Sequence, residues 1–356
     1  MTYPNILDGS CEIVFEENLW PQLKSLLTEI APSQIIVLTD ENTKRDCLPI
    51  FHLKLSEKIE YKHICIPAGE EYKNLSTCNK IWQALSEAGA DRESLLINLG
   101  GGVVCDLGGF VASTYMRGIK WINIPTTLLS MVDASVGGKT GVDFNGFKNI
   151  IGIIRNPYLV GIEPKFLNTL SYRERRSGFA EMLKHALLTN ENHWKSLQNL
   201  DLKNLCAITD YIYKSINVKH QIVSQDRNET GLRKQLNFGH TIGHAIEAYF
   251  LQNSEPILHG EAIAAGMLIE LKLSMDLLKF PKSKFETLEK FLLSTYGKIT
   301  LSDVALDAVV KNLAFDKKNV MGRINFVLLH DFGKFQLDYH VPESKIIQAF
   351  QYYKKA

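Results

Sequence analysis

Two short segments concentrate histidine: RKQLNFGHTIGHAIE, residues 233–247, with His240 and His244, and LHGE, residues 258–261, with His259. His240 and His244 stand four apart, so on a helix they share one face and both imidazoles can reach a single site. A carboxylate comes from GFAEMLKH, where Glu181 and Lys184 lie three apart on one helical face. Two histidines and a carboxylate with an open fourth position make a catalytic zinc set. Such an ion acts as a Lewis acid and brings the pKa of a bound oxygen to about 7. A structural zinc site would close with four ligands, usually sulfur-rich. None of the six cysteines (Cys11, Cys47, Cys65, Cys78, Cys105, Cys206) falls in these segments or in a CxxC pair. The HxxxH spacing lacks the glutamate of HExxH, which weighs against a metalloprotease. A lone histidine is usually a core or surface residue, but three of them among glycines, with Arg233, Asn237 and Glu181, point to a site.

Two further segments suit anions. LLINLGGGVVCDLGGF reads as a strand, the turn Gly100–Gly102 and a helix beginning near Val103. Glycine admits close backbone approach and a helix N-terminus offers free N–H groups, which is the logic of a diphosphate site. A plain strand–helix turn would use the same residues, and the pattern is neither GxGxxG nor a P-loop. Gly108-Gly109 reads instead as close helix–sheet packing. The second segment, Pro125 to Gly152, reads as a loop carrying Asp133, Lys139, Lys148 and Asn149 among Gly137, Gly138, Gly141, Gly146 and Gly152, with Arg117 just upstream. Lysines in so glycine-rich a loop suit phosphate or carboxylate. The polar turn Pro67–Lys73 adds Glu70 and Lys73.

These residues need a scaffold. Apolar runs at 34–39, 62–66, 95–99, 121–124 and 158–162 alternate with helical stretches such as Thr77–Ala88. That alternation predicts a Rossmann-like α/β domain, a parallel sheet with helices on both faces. Its ligands belong beyond the carboxyl ends of the strands, where Asp40, the glycine triplet and Thr126-Thr127 fall. After about Pro164, long helical patterns take over, at Tyr172–Leu188, Ala207–Gln225, His240–Leu251 and Glu261–Leu278, with one late run, Ile324–Leu329, read as a returning strand. The expected domains are therefore 1–164, α/β, and 165–356, mainly α-helical. Lys and Arg number 40 against 39 Asp and Glu, a net charge of +1, so no global field recruits nucleic acid and any anion site is built locally. No apolar stretch approaches the ~20 residues that span a bilayer. Met1 to Gly9 lack the pattern of a signal peptide, and a cytoplasmic address is expected.

GGGVVCDLGGF, YMRGI, PTTLLSMVDASVGGKTGV, GFKNIIG, SGFAEMLKHALL, LNFGHTIGHAIE and LHGEAIAAGM follow one another between about Asp40 and Lys318. In sequence and order they resemble the motif series of the 3-dehydroquinate synthases, a sugar phosphate cyclase family. The resemblance implies an NAD-binding α/β domain, a helical metal domain and a homodimer. It implies Glu181, His240 and His259 as ligands of zinc or cobalt, and places His244 at the substrate phosphate although helical spacing alone nominates it as a ligand. Lys139 and Asn149 match substrate-binding positions, with Arg117 reaching the neighbouring subunit's site. Lys184, Lys219, Arg233 and Asn237 match residues holding the substrate's hydroxyls and carboxylate. Asp40, Glu70, Lys73, Gly101, Gly102, Val103, Asp106, Thr126, Thr127, Asp133, Lys139 and Lys148 match the NAD site, and one of Lys317 and Lys318 fits a late substrate lysine. The departures, at Thr169-Leu170-Ser171 and over residues 153–157, touch no carried-over catalytic position.

The activity so implied takes a phosphorylated sugar acid, 3-deoxy-D-arabino-heptulosonate 7-phosphate, to 3-dehydroquinate and phosphate, a step of the shikimate pathway toward aromatic amino acids. It proceeds by transient oxidation, phosphate elimination, reduction and intramolecular aldol closure, with no net redox change. Three rivals stand beside it. A sister cyclase making an inosose or a valiolone acts on a substrate without a carboxylate, and the presence of Lys219, Arg233, Asn237 and His244 together favours dehydroquinate. A metal-dependent polyol dehydrogenase would release stoichiometric NADH. An inactive relative would not need Glu181, Lys139, His240 and His259 together.

Overall fold

The computed structural model describes residues 3–55, 59–145, 147–253, 255–314 and 324–356. Gly146, Lys317 and Lys318 lie outside the described residues. The strands are β1 (Ile6–Asp8), β2 (Cys11–Phe15), β3 (Ile35–Asp40), β4 (Lys62–Ile66), β5 (Leu95–Gly100), β6 (Lys120–Pro125), β7 (Lys139–Phe144), β8 (Phe147–Ile154), β9 (Leu159–Ile162), β10 (Asn325–Asp331) and β11 (Lys334–His340). The helices are α1 (Glu16–Ile30), α2 (Glu41–Asp46), α3 (Leu48–Leu55), α4 (Leu75–Glu87), α5 (Gly102–Thr114), α6 (Tyr172–Leu187), α7 (Glu191–Gln198), α8 (Ile208–Gln225), α9 (His240–Gln252), α10 (His259–Leu278), α11 (Lys282–Tyr296), α12 (Asp303–Ala314) and α13 (Glu343–Lys355). No described helix is long and apolar enough to cross a membrane.

The contacts divide the chain into two compact units. One comprises Met1–Arg175 and Asp201–Arg227, the other Arg176–Leu200 and Asn228–Ala356. The stretch holding α8, which the sequence places in the helical half, thus packs with the first unit. There α8 lies against a short π-helical turn, Ser130–Ala134.

The first unit is built on one sheet in the order β1-β2-β9-β6-β5-β3-β4, parallel except for β1, which runs antiparallel to β2. The parallel strands are apolar along most of their length because both faces are covered. Ile36, Leu38, Ile66 and Leu96 pack with Cys78, Ile81 and Leu85 of α4 and Val104, Leu107 and Val111 of α5 in one buried cluster. Gly108 is the close helix–sheet contact that the sequence suggests: a Cβ there would lie 2.0 Å from Asn98 Oδ1 on β5. Asn98 Nδ2 in turn donates to Asn123 Oδ1 on β6 at 2.9 Å.

Strand β3 pairs with β4 on one side and β5 on the other. The chain leaves β3 outward to β4 and leaves β5 the other way to β6, so the crevice between β3 and β5 is a topological switch point, where open α/β sheets take their ligands. Asp40 ends β3 and the glycine triplet ends β5, so both stand at that crevice.

The sequence missed the hairpin β7–β8, reading its residues as part of a glycine-rich loop. Lys139 pairs with Ile154 and Val142 with Ile151 in antiparallel register. The isoleucines at 150, 151, 153 and 154 favour a strand despite the glycines around them.

In the second unit α10 is the central helix. Residues 262–271 along it are all buried, as expected of a helix apolar on every side. Helices α9, α11 and α13 and strand β10 pack on it. The late run read as a returning strand is β10, but among the described residues it pairs with β11 alone, in a separate antiparallel hairpin.

Candidate metal centre and dinucleotide edge

The second unit gathers the carboxylate and the histidines. Glu181 lies on α6, fully buried, three residues before Lys184, which is also buried and contacts its Oε2. His240 is the first residue of α9 and His259 the first of α10. Both turn Nε2 toward Glu181 Oε1, at 3.3 and 3.4 Å. The ligand atoms of these three residues lie within 4.8 Å of one another.

The other ring nitrogens are held. His240 Nδ1–H donates to the Phe238 carbonyl at 3.1 Å, and His259 Nδ1–H to Glu247 Oε2 at 3.3 Å. Each imidazole is thereby oriented with Nε2 free to bind an ion, the arrangement that metal-ligating histidines usually show. Ser177, one turn before Glu181 on α6, accepts the Gly260 N–H at 3.0 Å and so ties that helix to the start of α10.

The ionisation of the three residues follows from burial and from one another's charge, and it differs between the two histidines. Burial and the nearby Lys184 ammonium push His240 down to about 4, so it is neutral, as a ligand must be. Burial opposes the charge on His259, but the Glu247 and Glu181 carboxylates outweigh it and raise the imidazole to about 9, so binding an ion there must displace its proton. Burial alone would raise Glu181, yet Lys184 and the two histidines hold it well below the usual carboxylate range. An ionised carboxylate and two aimed imidazoles are the donor set of a catalytic zinc or cobalt site, so these residues fit the metal.

His244, which the four-residue spacing nominates, stands beside this set: its ring centroid is 5.1 Å from that of His240 and 5.8 Å from that of His259. Arg233 is buried in the turn before α9, and Asn237 Nδ2 donates to Glu229 Oε1 at 2.7 Å. Sequence reasoning gave no role to Ser177 or Glu247. The signal was there, since Ser177 is four residues before Glu181 and Glu247 is seven after His240, each on the face of its helix that carries the ligand.

The first unit gathers most of the remaining residues. Helix α5 starts at Gly102 with Gly101 as its N-cap and no side chain capping it, so its first N–H groups are available to an anion. Val103 lies in that first turn, and Thr126 N–H donates to the Gly100 carbonyl at 2.9 Å, joining the ends of β5 and β6. Thr127 shares hydrogen bonds with Ser130 in the turn that follows.

Around these lies a charged cluster. Buried Lys73 donates to Asp106 Oδ2 at 2.6 Å and to Asn149 Oδ1 at 2.7 Å. Lys148 Nζ pairs with Glu70 Oε1 at 2.9 Å. Lys219 on α8 donates to the Asp133 carbonyl at 2.6 Å and to its Oδ1 at 2.5 Å. Burial works to neutralise Lys73, but Asp106, Glu70 and Asp143 keep its pKa above the ordinary lysine value. Asn149 and Lys219, matched by resemblance to substrate positions, thus contact residues matched to the NAD site. Asp40 caps α2, its Oδ1 accepting from the Thr43 N–H at 2.7 Å. Lys139 and Arg117 are exposed, and Met116 and Arg117 both adopt left-handed backbone, with φ of 48° and 70°.

Two family models match the chain. The one described as 3-dehydroquinate synthase N-terminal covers residues 63–177, and 3-dehydroquinate synthase C-terminal covers residues 178–319. A 3-dehydroquinate synthase of Parabacteroides distasonis is 38% identical over 348 residues, covering 97% of this chain and 98% of the relative. Among solved structures, 2-deoxy-scyllo-inosose synthase complexed with carbaglucose-6-phosphate, NAD+ and Co2+ matches with a TM-score of 0.85 at 24% identity, covering 99% of both chains. The 2-epi-5-epi-valiolone synthase of Streptomyces hygroscopicus subsp. jinggangensis, with NAD+ and Zn2+ bound, matches with a TM-score of 0.83 at 24% identity, covering 100% of this chain and 99% of the other.

Proposed function

The chain belongs to the 3-dehydroquinate synthase family, and we propose that it performs this family's reaction with a divalent metal on Glu181, His240 and His259 and NAD at the carboxyl edge of the sheet. The activity is that of a carbon–oxygen lyase, EC 4.2.3.4, in the shikimate pathway. Its substrate is a sugar phosphate, and the finer assignment is 3-deoxy-D-arabino-heptulosonate 7-phosphate. The observation that carries the reading is the convergence of one ionised, buried carboxylate and two oriented imidazoles within the family's motifs. The NAD+ and Co2+ or Zn2+ of the two solved cyclases support the cofactor assignment.

When bound, the metal supplies Lewis acidity to a substrate hydroxyl, and NAD supplies a hydride acceptor that is restored within the turnover. The chain's own residues bind and orient. Arg233 offers a planar fork that suits the substrate carboxylate, and Asn237 adds an amide beside it. Lys184 and Lys219 hold hydroxyl oxygens as hydrogen-bond donors. Lys139, Asn149 and His244 grip the phosphate, where lysine acts as a point charge and an imidazole can exchange a proton. Asp40, Glu70, Lys73, Gly101, Gly102, Val103, Asp106, Thr126, Thr127, Asp133 and Lys148 frame the dinucleotide, its diphosphate at the uncapped start of α5.

A homodimer is part of the proposal, with Arg117 reaching the neighbouring subunit's site. Met116 is 46% exposed beside it, and Ile153 and Ile154 are exposed just before Arg155, whose guanidinium packs at Gly118. Such apolar exposure next to strained backbone suits an interface.

The deciding experiment adds the heptulosonate phosphate to metal-loaded protein with catalytic NAD. Phosphate and 3-dehydroquinate should appear together with no accumulation of NADH. Stoichiometric NADH would identify a polyol dehydrogenase instead, and no turnover at all would end the enzymatic reading.

A further inference from the structure

Both histidines assigned to the metal open a helix, and each of those helix starts meets a buried carboxylate from the other helix. Glu247 on α9 accepts the Nδ1–H of His259, the first residue of α10, at 3.3 Å. Glu270 on α10, fully buried, accepts the N–H of Gly239 at 2.6 Å and of Ile242 at 3.3 Å, at the start of α9.

Gly239 explains why the second contact comes from outside. It is the N-cap of α9, with φ of 78°, a conformation that glycine adopts at little cost. A Cβ there would lie 2.6 Å from Met267 Cγ, so the position cannot carry the usual capping side chain. Two N–H groups left over at the helix start go to Glu270, whose negative charge also suits the positive end of the helix.

The peptide joining Phe238 to Gly239 extends this contact to the ligand. Its N–H donates to Glu270, and its carbonyl accepts the Nδ1–H of His240 at 3.1 Å. Hydrogen bonds in series polarise one another. A carboxylate on one side of the peptide therefore strengthens the grip of its carbonyl on the imidazole. His259 is anchored by a carboxylate directly, and His240 by a carboxylate through one peptide unit.

We propose that Glu247 and Glu270 form a reciprocal clamp across the α9–α10 pair that positions His240 and His259 and sets the affinity for the metal. Both are positioning residues, not ligands. The clamp rests on the reading of Glu181, His240 and His259 as the metal site. Glu270 is eleven residues, about three turns, beyond His259, so the two share one face of α10. Sliding α9 along α10 by a turn would break both carboxylate contacts together.

The test measures zinc and cobalt dissociation constants of E247Q and E270Q by competition with a chromophoric chelator, alongside the thermal unfolding of the metal-free proteins. E247Q should bind about 10- to 100-fold more weakly, the usual cost of removing such a partner, and E270Q about tenfold more weakly. The visible spectrum of the cobalt form should shift in both. A role in packing alone would lower the unfolding midpoint of metal-free E270Q and leave its metal affinity unchanged, and that result overturns the clamp. If E270Q does not fold, E270D takes its place, since the shorter carboxylate cannot span both N–H groups and should again bind metal more weakly. Wild-type protein that takes up no ion would end the metal reading itself. Wild-type uptake matched by unchanged affinity in the variants ends the clamp alone.

Discussion

The two charged clusters of this molecule follow opposite plans. In the helical unit the lone pairs converge: Glu181 Oε1 and the Nε2 atoms of His240 and His259 face one another, and each imidazole is fixed from behind. In the sheet unit the charges are distributed in pairs, Lys73 with Asp106, Lys148 with Glu70 and Lys219 with Asp133. A convergent set suits one small cation, and losing a single member removes the site. A set of pairs suits a large ligand held at many points, and losing one member weakens the grip by a fraction.

The comparison predicts its largest effect at the metal. Stripping the ion with a chelator, or replacing Glu181 by Gln, should lower kcat by about a thousandfold or more, on the order of 4 kcal/mol of lost transition-state stabilisation. Readdition of zinc or cobalt should restore the stripped wild type but not E181Q. Full turnover in metal-free protein would show that the convergent set is not catalytic.

A paired residue should behave differently. In D106N the buried Lys73 ammonium keeps Asn149 but loses its carboxylate. Breaking a buried pair from one side costs about 3 kcal/mol, which urea unfolding will read, while the dissociation constant for NAD should rise only about tenfold. The sign of the pH dependence can be stated. A lysine whose folded pKa lies above the ordinary ~10.4 contributes its stabilisation fully below that value and loses it as the pH climbs through the folded pKa. Measurements at neutral pH therefore capture the whole effect. A thousandfold loss of activity in D106N with unchanged stability would erase the distinction between the two clusters.

Much of this was legible in the residues. The parallel strands announced themselves as apolar runs ending in Asp40, the glycine triplet and Pro125, because a sheet covered on both faces leaves no polar alternation to confuse the pattern. The composition of the metal set was legible in the residue types, and its membership in the family resemblance rather than in helical spacing. Helical spacing pairs His240 with His244, and only tertiary packing, which brings the start of α10 against α6 through Ser177 and Gly260, puts His259 within reach of Glu181. The hairpin β7–β8 was hidden by its own glycines. The placement of α8 was hidden because a helix pattern shows which face is apolar, not which unit will cover it. Glu270 left no signal at all in the sequence: a glutamate in the middle of an apolar stretch becomes interpretable only once the N–H groups it accepts from are located.

The smallest effect belongs to Asp40, where a structural and a binding role share one side chain. Its Oδ1 accepts from the N–H and hydroxyl of Thr43, closing the first turn of α2. Asparagine caps a helix about as well as aspartate, whereas alanine forfeits about 1 kcal/mol. D40N should therefore unfold with the wild type and D40A about 1 kcal/mol earlier. If the carboxylate at this switch point also accepts a hydroxyl of the dinucleotide, NAD should bind about fivefold more weakly to both variants, close to 1 kcal/mol for one hydrogen bond. Wild-type NAD affinity in D40N and D40A alike would remove Asp40 from the cofactor site and leave it a helix cap, and the sheet cluster would then begin at Glu70 and Lys73 rather than at the end of β3.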